Sequence, residues 1–235
     1  MKKSWAFGGV LLVLGVGGWL LYDNVFATTA DDEFSLDAEL ADRSKGEPAR
    51  TDSSGPAELA GSWTVADGSE AGYRLVEDTP VGERTVTART SGVTGTVSLS
   101  ETTLTATDIT VDLLTVTSDQ PLRDSAFRDS IVNTAEFPSA VFAQAESVTL
   151  AGLFAAGTPL TVEVPGTLSV NGVTKSVTAK LDAVAAGTGS DTTITIVGTI
   201  DVVLTEFGIN PPTIPNFITA RDGATIEFKL QLTRG

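Results

Sequence analysis

Alternation of apolar and polar residues is the dominant pattern from about residue 59 to the C-terminus. Every second residue from Ile226 to Leu232 is apolar, and the residues between them are polar. The same period of two recurs at residues 194–204 and 177–181. Strands that are apolar on one side and polar on the other are typical of antiparallel sheets. The pattern therefore predicts an all-β, antiparallel domain over residues 59–235.

One turn and one helix can be placed within this pattern. Asn171-Gly172 predicts a two-residue hairpin turn, because both residue types tolerate positive φ. Residues 118–131 break the alternation and predict a short amphipathic helix, capped by Ser118 or Asp119. Leu122, Ala126, Phe127 and Ile131 would share its apolar face, and we expect the helix to close one end of a barrel or cover a gap between strands.

The N-terminus carries a different pattern. Trp5 to Tyr22 is an uncharged, mostly apolar run preceded by Lys2 and Lys3. As a helix it would extend roughly 27 Å, close to the hydrocarbon thickness of a bilayer. We predict an N-terminal transmembrane helix over residues 1–23, with the C-terminal domain extracytoplasmic and the chain a single-pass protein of the cell membrane. The alternative is a signal peptide cleaved after Val25-Phe26-Ala27.

Residues 24–58 are rich in Ala, Asp, Glu, Ser and Pro and lack apolar periodicity. That composition predicts an acidic flexible linker between the anchor and the β domain. About 35 flexible residues have a root-mean-square span of roughly 30–35 Å.

Composition removes most catalytic chemistry. The chain has no histidine and no cysteine, so catalytic triads, thiolates and the usual zinc ligands are absent. Its formal net charge of −15 disfavours binding to nucleic acid. We predict a protein that is not an enzyme and that uses no cofactor or metal.

Four segments resemble a known family. Residues 123–142, RDSAFRDSIVNTAEFPSAVF, are similar to the helix-to-strand segment of YceI-like proteins. Residues 166–178, GTLSVNGVTKSVT, resemble the hairpin of that family. The segments at residues 62–77 and 205–234 fit it as well. The chain resembles a membrane-anchored variant of the YceI-like family.

This resemblance implies a lipocalin-like β-barrel that binds, stores or transports a polyisoprenoid lipid or isoprenoid quinone in an apolar channel. Inward positions of the predicted strands and helix would line the channel: Tyr73, Leu75, Val97, Leu99, Val111, Leu113, Phe127, Ile131, Phe142, Leu168, Val170, Ile196, Ile226 and Phe228. Arg123, Arg128 and Lys175 are candidate headgroup contacts, although a solvated helix face and a solvated barrel rim are the more common explanation for such residues.

Two questions stay open at the level of sequence. The proline-rich segment from Phe207 to Phe217 is either a lid over the cavity or an ordinary long loop. The second functional hypothesis is a tethered extracytoplasmic β-domain with a filled core that binds another protein. A homodimer is compatible with either function.

Overall fold

The computed structural model describes residues 30–46, 59–150, 157–187 and 189–235. Within these ranges, no helix is both long and apolar enough to cross a membrane. The predicted anchor at residues 1–23 and the cleavage site at 25–27 lie outside the described residues.

The alternating segments form thirteen strands within the described ranges. They are β1 Gly61–Val65, β2 Glu70–Thr79, β3 Gly82–Thr90, β4 Val93–Leu99, β5 Thr103–Asp112, β6 Thr117–Ser118, β7 Ser139–Gln144, β8 Val148–Thr149, β9 Leu160–Val170, β10 Val173–Ala186, β11 Thr193–Val203, β12 Thr213–Ile214 and β13 Ile218–Arg234. All of their pairings are antiparallel, which confirms the predicted class.

The sheet closes on itself as a barrel. Its ring runs β1-β4-β5-β7-β9-β10-β11-β13, and β13 returns to β1. The long strand β13 also pairs with β2 on both sides of a bulge between Ala220 and Ala224. β2 in turn pairs with β3, just as β1 pairs with β4. Closure provides hydrogen-bond partners for the backbone N–H and C=O groups that the edge strands of an open sheet would leave unpaired.

The wall is incomplete beside β3, and a helix lies at this gap. β3 pairs on its outer side only with the two residues of β6, through Ala88 and Arg89. Helix α2, Pro121–Ala126, follows β6 directly and continues as a π-helical turn, Phe127–Ile131. The prediction of one short helix within the β domain is therefore confirmed.

The details of this helix differ from the prediction. Its N-cap is Gln120, which makes no side-chain capping bond. Instead the Asp124 carboxylate accepts hydrogen bonds from the backbone and the hydroxyl of Ser118, at 2.8 and 2.7 Å. Leu122 is 71% exposed, because the inward line of the helix is Arg123, Phe127 and Ile131.

The predicted hairpin turn is present. Asn171 and Gly172 have φ angles of 52° and 73° and connect β9 to β10 in the expected register. This pair of left-handed residues matches the right-handed twist of the strands that it joins.

Part of the predicted flexible linker is helical and packs on the barrel. Helix α1, Leu36–Gly46, buries Leu36 against Val184 and Val197 on the outer wall. Residues 30–46 differ in this respect from the flexible linker that their lack of apolar periodicity indicated. Phe34 and Leu36 provide two apolar contacts between this segment and the barrel, and ion pairs and hydrogen bonds provide the other contacts.

Candidate functional site

An apolar cavity of about 220 Å³ runs inside the barrel. Its described lining residues are apolar except for Tyr73, Glu77, Thr107 and Arg123. The alternating strands produce this lining, because every second side chain points to the barrel axis. A core filled completely by side chains, as the second hypothesis requires, differs from this structure.

Thirteen of the fourteen predicted channel residues line the cavity: Tyr73, Leu75, Val97, Val111, Leu113, Phe127, Ile131, Phe142, Leu168, Val170, Ile196, Ile226 and Phe228. Leu99 does not line it and instead packs at the edge of the core. The register of β4 against β5 shifts between Ser98 and Leu99, which ends the inward alternation one step early. Whether the thirteen residues bind a ligand stays a prediction.

One end of the barrel is packed by large side chains. Trp63 is fully buried, and its indole Nε1 donates a hydrogen bond to the Leu59 carbonyl oxygen at 2.9 Å. Leu104, Leu150 and Leu232 are buried in the same cluster. This end acts as the floor of the cavity.

The proline-rich segment covers part of the cavity. Phe207, Ile209 and Pro212 of this segment line it, as does Leu204 just before the segment, and Phe207 and Ile209 are buried. The Asn171 side-chain amide holds the segment by donating a hydrogen bond to the Phe207 carbonyl oxygen at 3.2 Å. Of the two interpretations of this segment, its lining positions favour a lid over the cavity rather than an ordinary long loop. Sequence reasoning missed its lining residues because a segment without periodicity does not reveal which side faces inward.

Of the candidate headgroup contacts, only Arg123 lines the cavity. Its guanidinium is ion-paired with Asp119 and lies 3.3 Å from the Ser118 hydroxyl oxygen. Arg128 instead donates to the Val116 carbonyl oxygen at 3.4 Å, and the half-buried Lys175 lies outside the lining. The structure thus brings neither Arg128 nor Lys175 to the cavity.

A buried ion pair in the cavity wall was missed from the sequence. Glu77 is 6% exposed, and Arg84 lies directly opposite it on β3, with 2.6 Å between Arg84 Nη2 and Glu77 Oε2. Glu77 continues the inward alternation of Tyr73 and Leu75, so the signal was its position. A carboxylate at an inward position is unusual unless a cation pairs with it.

Tyr73 stands beside this polar group. Its ring stacks on Phe127, with 5.6 Å between the ring centroids and an interplanar angle of 21°. Burial raises the pKa of the Tyr73 phenol to about 12, partly offset by the Arg123 charge and reinforced by Asp124 and Glu77. The phenol is therefore uncharged at physiological pH.

With this geometry in place, the comparison with known families is decisive. The family model described as "YceI-like domain" matches residues 65–232. The chain belongs to the YceI-like domain family. The match spans the strands from β2 to most of β13 and leaves α1 outside it.

Two solved structures share the fold of this YceI-like domain. One is a polyisoprenoid binding domain from Saccharophagus degradans, with 16% identity, a TM-score of 0.58, and coverage of 74% of this chain and 98% of that chain. Another is BcnA of Burkholderia cenocepacia, with 15% identity, a TM-score of 0.52, and coverage of 71% and 98%. A comparison with curated proteins finds no match.

Proposed function

We propose that this YceI-like domain binds an isoprenoid lipid or isoprenoid quinone in its cavity, without catalysing a reaction on it. The observation that carries the proposal is the cavity of about 220 Å³, which is apolar along nearly all of its described lining. Apolar walls of this kind bind through the hydrophobic effect and select a ligand by its length and girth.

The energetics support a long apolar chain. Each buried methylene contributes about 0.8 kcal/mol, so ten would contribute roughly 8 kcal/mol before the cost of ordering the chain. A methyl-branched prenyl chain suits walls built from Val, Ile and Leu, because branched groups fill the spaces between branched side chains. The fold is also that of a Saccharophagus degradans domain described as polyisoprenoid binding.

We further propose that the chain is the membrane-anchored variant, single-pass, with the barrel extracytoplasmic. The support is the run from Trp5 to Tyr22, preceded by two lysines. Fractionation of cells that produce the full chain should place it in the membrane. Protease added from outside should cleave the barrel only after the layers of the cell envelope outside that membrane have been permeabilised. Release of a soluble chain beginning near residue 28 would instead indicate signal-peptide cleavage.

The direct test of ligand binding is extraction of lipid from the full chain, purified from its native host, followed by mass spectrometry. We expect a co-purifying prenyl compound at a defined molar ratio. The matched control is Val111→Trp, which places a large side chain in the cavity and should reduce that ratio several-fold. Absence of any isoprenoid from the wild-type protein, together with failure to bind added prenyl lipids, would contradict the proposal.

A further inference from the structure

The polar lining residues of the cavity are not scattered. Tyr73 and Glu77 lie on the same face of β2, and Arg123 is close enough to act on the Tyr73 phenol electrostatically. Thr107 stands apart on β5 and donates its hydroxyl hydrogen to the Gln144 side-chain oxygen at 2.9 Å. These three polar groups, which we call the neck, stand among otherwise apolar lining residues.

The charges of this neck are already matched within the protein. Arg84 donates from Nε to Glu77 Oε2 at 2.7 Å and also approaches it through Nη2. Arg123 pairs with Asp119. A diphosphate entering here would have to displace a carboxylate from one of these guanidiniums, and it would meet the negative charge of Glu77.

The Tyr73 hydroxyl differs from these groups. No hydrogen bond joins it to any residue in the described ranges, and the half-buried side chain lines the cavity. Stacking on Phe127 fixes the direction of the ring, and the raised pKa keeps its proton in place. A ligand that fills the cavity displaces water from this hydroxyl, and the hydroxyl then loses free energy unless an oxygen atom of the ligand accepts its hydrogen bond.

We propose that the Tyr73 hydroxyl donates a hydrogen bond to the oxygen of a neutral head group, an alcohol or a quinone carbonyl, and that the neck excludes diphosphate heads. This inference rests on the proposed function, because it assigns the head of a ligand whose tail occupies the apolar part. It also replaces the headgroup contacts through Arg123, Arg128 and Lys175 that the sequence suggested with a contact between uncharged groups.

The test uses four probes that each carry twenty carbons in their prenyl or prenyl-derived chain. They are geranylgeraniol, menaquinone-4, geranylgeranyl diphosphate and the hydrocarbon phytane. Each competes with a fluorescent prenyl probe for the delipidated full chain in detergent. We expect the alcohol and the quinone to bind at least about tenfold tighter than the diphosphate.

Tyr73→Phe removes the hydroxyl and keeps the stacked ring. It should weaken the alcohol and the quinone by about 3- to 10-fold and leave phytane unchanged, since one neutral hydrogen bond is lost. Thr107→Val is the matched control, because it removes the other lining hydroxyl, which already has a protein partner. Circular dichroism of each variant establishes that the barrel is folded before binding is compared.

The outcomes are distinguishable. Tighter binding of the diphosphate, or equal losses for the alcohol and phytane in Tyr73→Phe, overturns the head-group assignment and leaves lipid binding standing. Failure of all four probes to bind overturns the proposed function and this inference together.

Discussion

The guanidinium carbon of Arg89 lies 3.9 Å from the centroid of the Phe34 ring, so residues before the YceI-like match form part of the outer wall. Asp31 reinforces the contact, because its amide donates to the Thr87 hydroxyl oxygen at 2.9 Å. Its carbonyl oxygen accepts from Arg74 at 2.7 Å. A flexible linker would make none of these contacts.

Phe34→Ala should therefore release this segment. We expect a loss of about 1–2 kcal/mol, from the cation–π contact and the buried ring face. Hydrogen exchange should show faster exchange at the Asp31 amide while the amides of β9 and β10 keep their protection. Val81→Ala, at a side chain that is 78% exposed, is the control and should change neither quantity. An unchanged Asp31 amide in Phe34→Ala would contradict the docked arrangement.

Glu227 is the buried anion beneath that segment. It is 2% exposed and accepts hydrogen bonds at 3.1 Å from Arg74 Nε and from Arg89 Nε. Glu227→Gln should lower the free energy of unfolding by about 3 kcal/mol, because two guanidiniums lose their shared carboxylate. Glu163→Gln, at an exposed site on β9, should stay within about 0.5 kcal/mol of the wild type. Urea denaturation of both variants measures the difference in the free energy of unfolding. Equal effects would rule out a structural role for the contacts between Glu227 and the two arginines.

A glycine sets the space available to Phe228 in the cavity wall. A Cβ added at Gly198 would lie 2.6 Å from the Lys180 carbonyl oxygen and 2.6 Å from Phe228 Cζ. Gly198→Ala should cost about 1–3 kcal/mol through overpacking. Gly223→Ala, where an added Cβ meets nothing within 4 Å, is the matched control. Thermal unfolding should separate the two, and similar midpoints would argue against this close approach.

The cavity predicts an asymmetric response to added volume. The Val111 side chain is half-buried and forms part of the cavity wall. The Val184 side chain is only 1% exposed and lies between the barrel and α1. Val111→Trp should change stability by less than about 1 kcal/mol, since the ring enters open space. Val184→Trp should cost about 1–3 kcal/mol or displace α1, because its site is filled. Equal destabilisation would mean that the interior has no room to spare.

The Tyr73 phenol should titrate far from an ordinary tyrosine. The chain has two tyrosines, so Tyr22→Phe leaves Tyr73 as the sole phenol in an absorbance titration. We expect its midpoint near pH 12. Because the folded pKa lies above the unfolded value near 10, the folded state holds the proton more tightly. Stability therefore falls by roughly 2–3 kcal/mol as pH rises from 10 to 12. Tyr73→Phe should lack this fall, and a midpoint near 10 in the Tyr22→Phe protein would contradict the burial.

The sequence predicted the strands well where one face alone is buried. Alternation at Ile226 and Phe228 placed both in the cavity, and Asn171-Gly172 placed the hairpin, because both signals are local. Glu77 and Glu227 were missed for the opposite reason. Glu77 pairs with Arg84, and Glu227 pairs with Arg74 and Arg89, on other strands. Pairing across strands cannot be read along one strand. The docking of Phe34 likewise depends on a surface assembled from β2, β3 and β13.

The docked segment also changes how far the barrel can travel. Only residues 24–30 separate the proposed anchor from the first residue fixed near the wall, and seven extended residues reach about 25 Å at most. A free linker to Leu59 would reach about 125 Å. Under the anchoring proposed above, this short connection would hold the barrel within about 25 Å of the membrane. Such a barrel would exchange a bound lipid with that membrane and would not reach a distant second membrane.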